Sequence, residues 1–328
     1  MQFQTQIKID PFDEKIDHRA PILSLGSCFA DNIAKRLQRA KFDTTAAPTG
    51  ILFNPESIAR AIERFDRAKD DKSCLPTIDE LQQANGVWYN YDFHSAFSHV
   101  DADTALSQMS DAVVHGAEAL DTAKVMIITF GTAFVYRMSE SGEVVANCHK
   151  QQQRLFSREM LSVEDIAQRY SALLQGPLAG KRVIFTLSPV RHLGDGLEQN
   201  SLSKATLRVA IAEIVAKNSY ACYFPSYEIM MDELRDYRFY ADDMAHPSTL
   251  AVEYIWERFS QTAFSVTTLE AIKRIENIEA AAKHRPFNPE SDAHRAFCRK
   301  MLAECELLQS KLPGVCLEEE KEYFKNYL

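Results

Sequence analysis

Short apolar runs that end in Gly, Ser or Pro alternate along the chain with longer segments whose apolar residues recur at helical spacing. Residues 20–25 (APILSL) stop at Gly26 and predict a buried parallel strand closed by a tight turn. A helix is expected over 30–39, with Ile33, Ala34 and Leu37 on one face. Asn54-Pro55 reads as an N-cap with proline at the first helical position, opening a helix to about Lys69. The polar stretch 67–85 predicts a loop-rich connection that delivers an aromatic and histidine segment at 88–99. A helix is predicted over 103–120 and a strand over 125–130 ending at Gly131. A hairpin-like piece follows (134–137 and 143–147). Ser162 to Asp165 reads as a capping box for a helix to about Gln175. Strand 182–187, helix 201–217, strand 221–224 and helix 249–264 complete the alternation. Beyond Thr268 the pattern is helical, broken near 286–289.

Strands alternating with helices predict an α/β fold: a three-layer, doubly wound, mostly parallel sheet over residues 1–266, with a helical C-terminal extension over 267–328 packed on it. Ligands in such sheets bind beyond the carboxyl ends of the strands, so the chemistry is sought there.

The 328 residues suffice for one large core or two modest ones. The net charge of −9 argues against nucleic acid or an anionic membrane surface as the main partner. No stretch approaches the roughly 18 apolar residues of a membrane span, and residues 1–15 lack the apolar core of a signal peptide. A cytoplasmic protein is expected. The seven cysteines are scattered without C-x-x-C spacing, so neither a disulfide framework nor a zinc site is expected.

Several strand ends carry candidate chemistry. Gly26-Ser27-Cys28 places a thiol at a strand-to-helix turn, where a helix N-terminus can lower a thiol pKa and hold an oxyanion; a small buried cysteine is the plainer reading. Asp243 and His246 form a D-x-x-H pair in which the carboxylate can orient Nδ1 and leave Nε2 as a base. The plainer reading there is a capping Asp and a solvated His. Asn147-Cys148-His149-Lys150 and Arg191-His192 could bind substrate, and Gly50 could let backbone approach a ligand. His94, near Trp88 and Tyr89, is either pocket wall or core.

Seven ordered motifs complete the pattern: GSCFA (26–30), PTGILFNP (48–55), HSAFS (94–98), FGTAFVY (130–136), VANCHK (145–150), SPVRH (188–192) and DDMAHP (242–247). Together they closely resemble the GSCFA-domain family, which looks like a branch of the SGNH/GDSL hydrolase-like superfamily. The resemblance covers most of the chain and implies an SGNH/flavodoxin-like fold and an esterase or O-acyltransferase. Gly26 matches the Gly of the superfamily's Gly-Asp-Ser block, Ser27 stands at its Asp, and Cys28 falls on the nucleophile. Ser27 is the fallback nucleophile if the register slips by one. Asp243 and His246 match the closing D-x-x-H, and Gly50 is the nearest match to an oxyanion-hole glycine. The usual Gly-x-Asn-Asp block appears as Gly131-Thr132-Ala133-Phe134, so Asn147 is expected to supply the missing amide. Gly131, Thr132, His94, His149, Arg191 and His192 are expected to line the substrate site.

The expectation is therefore a Cys-His-Asp triad acting through a thioester on a small-molecule or glycan acyl ester, with no metal or organic cofactor and acyl-CoA as a candidate co-substrate. Two alternatives stand beside it. One is a non-catalytic ligand-binding module on a degenerate hydrolase fold. The other is a thiol redox protein in which Cys148 approaches Cys28.

Overall fold

The computed structural model describes residues 5–328. Five parallel strands form the central sheet: β1 (Ile22–Gly26), β2 (Thr44–Ala46), β3 (Val125–Phe130), β4 (Arg182–Leu187) and β5 (Ala221–Phe224). Their order across the sheet is β5-β4-β3-β1-β2. The order reverses direction between β1 and β3, which are paired from Ile22–Val125 to Gly26–Thr129. That reversal opens a crevice beyond the carboxyl ends of these two strands.

Side chains of β1, β3 and β4 alternate between two cores, because successive strand residues point to opposite faces. Leu23, Leu25, Met126, Ile128, Phe130, Val183 and Phe185 enter one. Ile22, Val125, Ile127 and Ile184 enter the other. The first core is covered by α2 (Pro55–Ala68), α3 (Ala102–Thr122), α4 (Val163–Gln175) and α5 (Leu197–Lys217). The second is covered by α1 (Cys28–Arg39) and α6 (Thr249–Ala263). The chain is thus an α/β protein with a five-stranded parallel sheet between helical layers.

Three further helices lie beyond the sheet, α7 (Val266–Lys283), α8 (Asp292–Lys311) and α9 (Glu318–Lys325). Ile275 and Ile278 of α7 join Cys298, Cys305, Leu308 and Phe324 in a third, smaller core. Ile272 of α7 belongs to the second sheet core. One helix is therefore shared by the sheet and the extension.

Several elements depart from the sequence expectation. Helix α1 starts at Cys28 rather than Ala30, so the thiol belongs to the first helical turn. Helix α5 starts at Leu197, four residues before the expected Ser201. The edge strand β2 and a third strand of the small antiparallel sheet, Phe156–Met160 beside Phe134–Met138, were not expected. Both are short or polar, and neither alternates strongly enough to register as a strand. The loop-rich segment also contains a hairpin, Gln82–Ala84 with Val87–Tyr89.

Candidate active site

Backbone hydrogen bonds draw the separate sequence motifs together beyond the carboxyl ends of the strands. Leu52 N–H donates to Gly26 O (3.0 Å), and Gly131 and Thr132 N–H both donate to Phe53 O (2.7 and 3.0 Å). The segment 48–55 thus crosses the ends of β1 and β3. His94 N–H donates to Thr49 O, and Asn147 N–H to Tyr91 O. Arg191 N–H donates to Ala245 O (3.0 Å), while its guanidinium donates to Met244 O (3.1 Å) and lies over Tyr237 and Tyr240. Arg191 therefore holds the loop that carries His246. Those contacts engage the group that the sequence offered to a substrate anion.

Asp243 and His246 form the expected pair. His246 Nδ1 donates to Asp243 Oδ2 at 2.6 Å. Asp243 Oδ1 accepts the N–H groups of Ala245 and His246, each at 2.9 Å. The His246 and Ala245 backbone bonds, with the ring bond, hold the Asp243 carboxyl down at about 2. An acceptor fixed in this way sets the tautomer, so Nε2 is left as a proton acceptor. The pair lies on the surface, each side chain about half exposed.

Cys28 is the first residue of α1, and Ser27 is its N-cap. Burial pushes the Cys28 thiol up. Its own N–H, that of Phe29, and the charge of Lys204 pull the other way, and Asp31 adds to the rise. The helix N-terminus acts in the expected direction, but desolvation outweighs it. Ser27 Oγ is buried and has no hydrogen-bond partner. Ser27 N–H donates to Thr129 O (3.3 Å), which fixes the turn out of β1. Among the described residues Cys28 makes no hydrogen bond with His246.

The expected oxyanion donors are differently disposed. Gly50 N–H donates to Ala47 O (2.8 Å) in a tight turn. Gly50 has φ +90°, and a Cβ there would meet His94 Cβ at 2.2 Å; glycine is required for this close approach. The Gly131 and Thr132 N–H groups are occupied by Phe53 O. Asn147 Nδ2 donates to Ser95 Oγ (3.0 Å), and its Oδ1 accepts His149 N–H (2.9 Å). His149 packs on Tyr89, with Nε2 2.9 Å from Asn90 O, and is not among the residues lining the neighbouring cavities, contrary to the expectation that it lines the substrate site. Cys28 and Phe29 N–H, at the open end of α1, remain as backbone donors beside the thiol.

Next to these groups lies a cavity of about 460 Å³ whose lining includes Phe53, His94, Thr132, Asn147, Cys148 and His192. It shares Tyr136, Cys148, Gly194 and Asp195 with a second cavity of about 660 Å³, so the two form one groove. Cys28 and His246 are not among the lining residues. All seven cysteines are free, and burial pushes the Cys148 thiol up to about 11.

Helix α5 supplies a polar cluster that sequence reasoning missed. Asn200 Oδ1 accepts His192 N–H (3.0 Å). Ser203 Oγ accepts Ala133 N–H (2.7 Å) and bonds Thr132 Oγ1 (3.2 Å). Lys204 Nζ donates to Gly131 O and Ser188 O, each at 2.7 Å. These bonds tie the ends of β3 and β4 to one helix. The signal was present: Lys204 lies in phase with Leu207, Ile211 and Ile214, a charge inside an apolar stripe.

His192 completes the set. Its Nε2 is buried without a hydrogen-bond partner. Burial first, then the charges of Lys204 and His246, pulls its pKa down to about 4, so the ring is neutral at physiological pH.

Comparison with protein families bears on this arrangement. The GSCFA family model matches residues 21–259, a span that contains all seven motifs. The chain belongs to the GSCFA family. A second model, the C-terminal domain of GSCFA domain proteins, matches residues 275–328, which cover most of the helical extension. No curated protein matches this GSCFA chain. Among the described residues no helix is long and apolar enough to cross a membrane, and no group of three or more His, Cys, Asp or Glu side chains could hold a metal ion.

Proposed function

We propose that this GSCFA protein is an acyl-transfer enzyme of SGNH-hydrolase type, an esterase or O-acyltransferase. Cys28 is the nucleophile, His246 the base and Asp243 the residue that orients it. The observation that carries this reading is the Asp243–His246 pair: a carboxylate locked by two backbone N–H groups, bonded to Nδ1 at 2.6 Å, with Nε2 left over. A surface carboxylate that only capped a helix would not need the ring bond. Ser248, not Asp243, caps α6.

Burial keeps the proton on the Cys28 sulfur, so a base has to remove it as attack proceeds. Nε2 of His246 takes that proton, and the sulfur bonds to the acyl carbon. The Cys28 and Phe29 amides receive the developing oxyanion. The ester C–O bond then breaks and the leaving oxygen takes the proton from His246. Water or an acceptor hydroxyl, deprotonated in turn by His246, attacks the thioester carbonyl; the C–S bond breaks and the sulfur takes the proton back from His246. Small-molecule or glycan acyl esters are the proposed substrates, with acyl-CoA as a donor for the transferase form. The protein is proposed to work in the cytoplasm.

Hydrolysis of p-nitrophenyl acetate tests the assignment. Cys28→Ala and His246→Ala are expected to lose at least about a hundredfold in rate, whereas Ser27→Ala retains activity. A fully active Cys28→Ala would overturn the role of Cys28, and loss confined to Ser27→Ala would move the nucleophile by one residue.

A second reading, a ligand-binding module, is favoured by the cavity, whose lining includes His94, Asn147 and His192 but neither Cys28 nor His246. Saturable binding of an acyl ester, unaltered by Cys28→Ala and without turnover, would select it.

A further inference from the structure

A cavity of about 210 Å³ opens beside the loop that carries His246. Its lining is mostly apolar: Met230, Met231, Leu234, Tyr237 and Tyr240, with Arg191 among them. Arg235 and Asp236 also reach it, but their charges are matched by Asp232 (3.8 Å) and Arg238 (3.0 Å). Arg191 supplies the remaining charge. Among the described residues it pairs with no carboxylate, and its guanidinium donates to Met244 O alone. The two methionines stand on a π-helical turn, Ile229–Glu233, and such turns recur at functional sites. Met231 and Tyr237 are 39% and 65% exposed. Apolar surface grouped around a cavity and left open to solvent is what a ligand site offers, and unbranched methionine adapts to a flexible ligand.

The cavity touches both arms of the His246 loop. Tyr240 bridges Pro247, the neighbour of His246, and Ala241 N–H donates to His246 O (2.8 Å). Arg191 holds Met244 and Ala245, the two residues before His246. Cys28 and Tyr240 pack against the apolar core that contains Met230 and Leu234. The thiol and the cavity therefore share one side of the sheet. We infer that this cavity holds the acyl chain of the substrate, a linear chain of about eight carbons, since a dry apolar cavity of about 150 Å³ takes a six-carbon ring and this one is larger. The carbonyl end of the chain lies toward Arg191 and His246, and its apolar end lies among the methionines and Leu234. Each methylene taken out of water contributes about fourfold in affinity, so the cavity favours a medium-length acyl group over acetyl.

The inference rests on the acyl-transfer reading and names the acyl group; two readouts keep their failures apart. Calorimetric titration with octanoate needs no turnover. Saturable binding is expected in wild type, weakened at least about tenfold in Met231→Asp, which sets a charge against the chain, and restored in Met231→Leu, which conserves volume. Hydrolysis of p-nitrophenyl esters from acetate to octanoate is the second readout. In wild type kcat/KM is expected to rise at least about tenfold along the series. Met231→Asp should abolish that rise and leave acetate hydrolysis within about twofold of wild type, because Met231 lies on the surface. Should Met231→Asp not fold, Met231→Trp, which fills the cavity without a charge, is expected to shift the preference toward acetate in the same way. Acetate turnover with a flat chain-length profile would overturn the acyl-chain site and leave acyl transfer standing. Octanoate binding that depends on Met231, with no ester turned over, would keep the site and strike the acyl-transfer reading. No octanoate binding, or binding indifferent to Met231, would overturn the inference.

Discussion

Single residues at the sheet edge divide into those that shape the site and those left free to act. Ser27 and Cys28 are neighbours with opposite surroundings: the hydroxyl is buried and unpartnered, whereas the thiol meets two helix amides. Ser27→Ala should therefore change unfolding free energy by less than about 0.5 kcal/mol, since no hydrogen bond is lost. A large loss in urea denaturation would reveal a partner for that hydroxyl. Gly50→Ala should instead destabilise by about 1–3 kcal/mol through its positive φ and the contact with His94; a neutral effect would contradict the close approach. His192 makes acid stability measurable. Its folded pKa, about 4, lies below the ordinary value of about 6.5, so the unfolded chain binds more protons between them. The contribution is complete above pH 6.5 and is lost as pH falls toward 4. Between pH 7 and 4.5 the wild type should lose about 1–3 kcal/mol more stability than His192→Gln. Parallel losses would show that the ring is not buried as described.

At the scale of elements, caps and stripes explain what the sequence disclosed. Asn54-Pro55 announced α2, and Asn54 Oδ1 does accept Ser57 N–H at 2.8 Å. Asn54→Ala should cost about 1 kcal/mol, against almost nothing for Ser27→Ala at the start of α1, where the N-cap side chain makes no bond. Equal losses in thermal or urea melts would refute the difference. Strands β3, β4 and β5 were legible to the residue because buried parallel strands read as continuous apolar runs. Edge strand β2 was not legible: three residues, two of them Thr, give no such run. The D-x-x-H pair was readable because its partners are three residues apart. The contacts of Asn147, Gly50 and Arg191 were not, because each is made with a segment distant in the chain or through backbone groups that carry no side-chain signature. Lys204 was hidden for a related reason: a lysine in a helix is ordinarily solvated, and only its phase with Leu207 and Ile211 betrayed its burial.

On the scale of the whole molecule, two apolar layers clamp the sheet, and α7 carries one of them into the C-terminal helices. The extension is also anchored by an ion pair between Lys41, just past α1, and Glu320 of α9, at 2.6 Å with both side chains largely buried. Lys41→Met strands a buried carboxylate and should cost about 3 kcal/mol; converting Glu320 to Met as well should recover part of it. A single-site loss below about 0.5 kcal/mol would mean that the extension docks through α7 alone. The extension packs around Lys41 and His18, at the end of the sheet opposite Cys28, where Gly314 lies against His18 O. The proposed acyl transfer is assigned to the opposite end, at the crevice between β1 and β3, where the 48–55 segment crosses the strand ends. Intact-mass analysis with peptide mapping, after exposure to p-nitrophenyl acetate and acetyl-CoA, tests that assignment most directly. An acetyl adduct is expected on Cys28 that turns over in wild type, is absent in Cys28→Ala, and in His246→Ala forms slowly and then persists. No adduct with either donor, together with ordinary alkylation kinetics at Cys28, would contradict it.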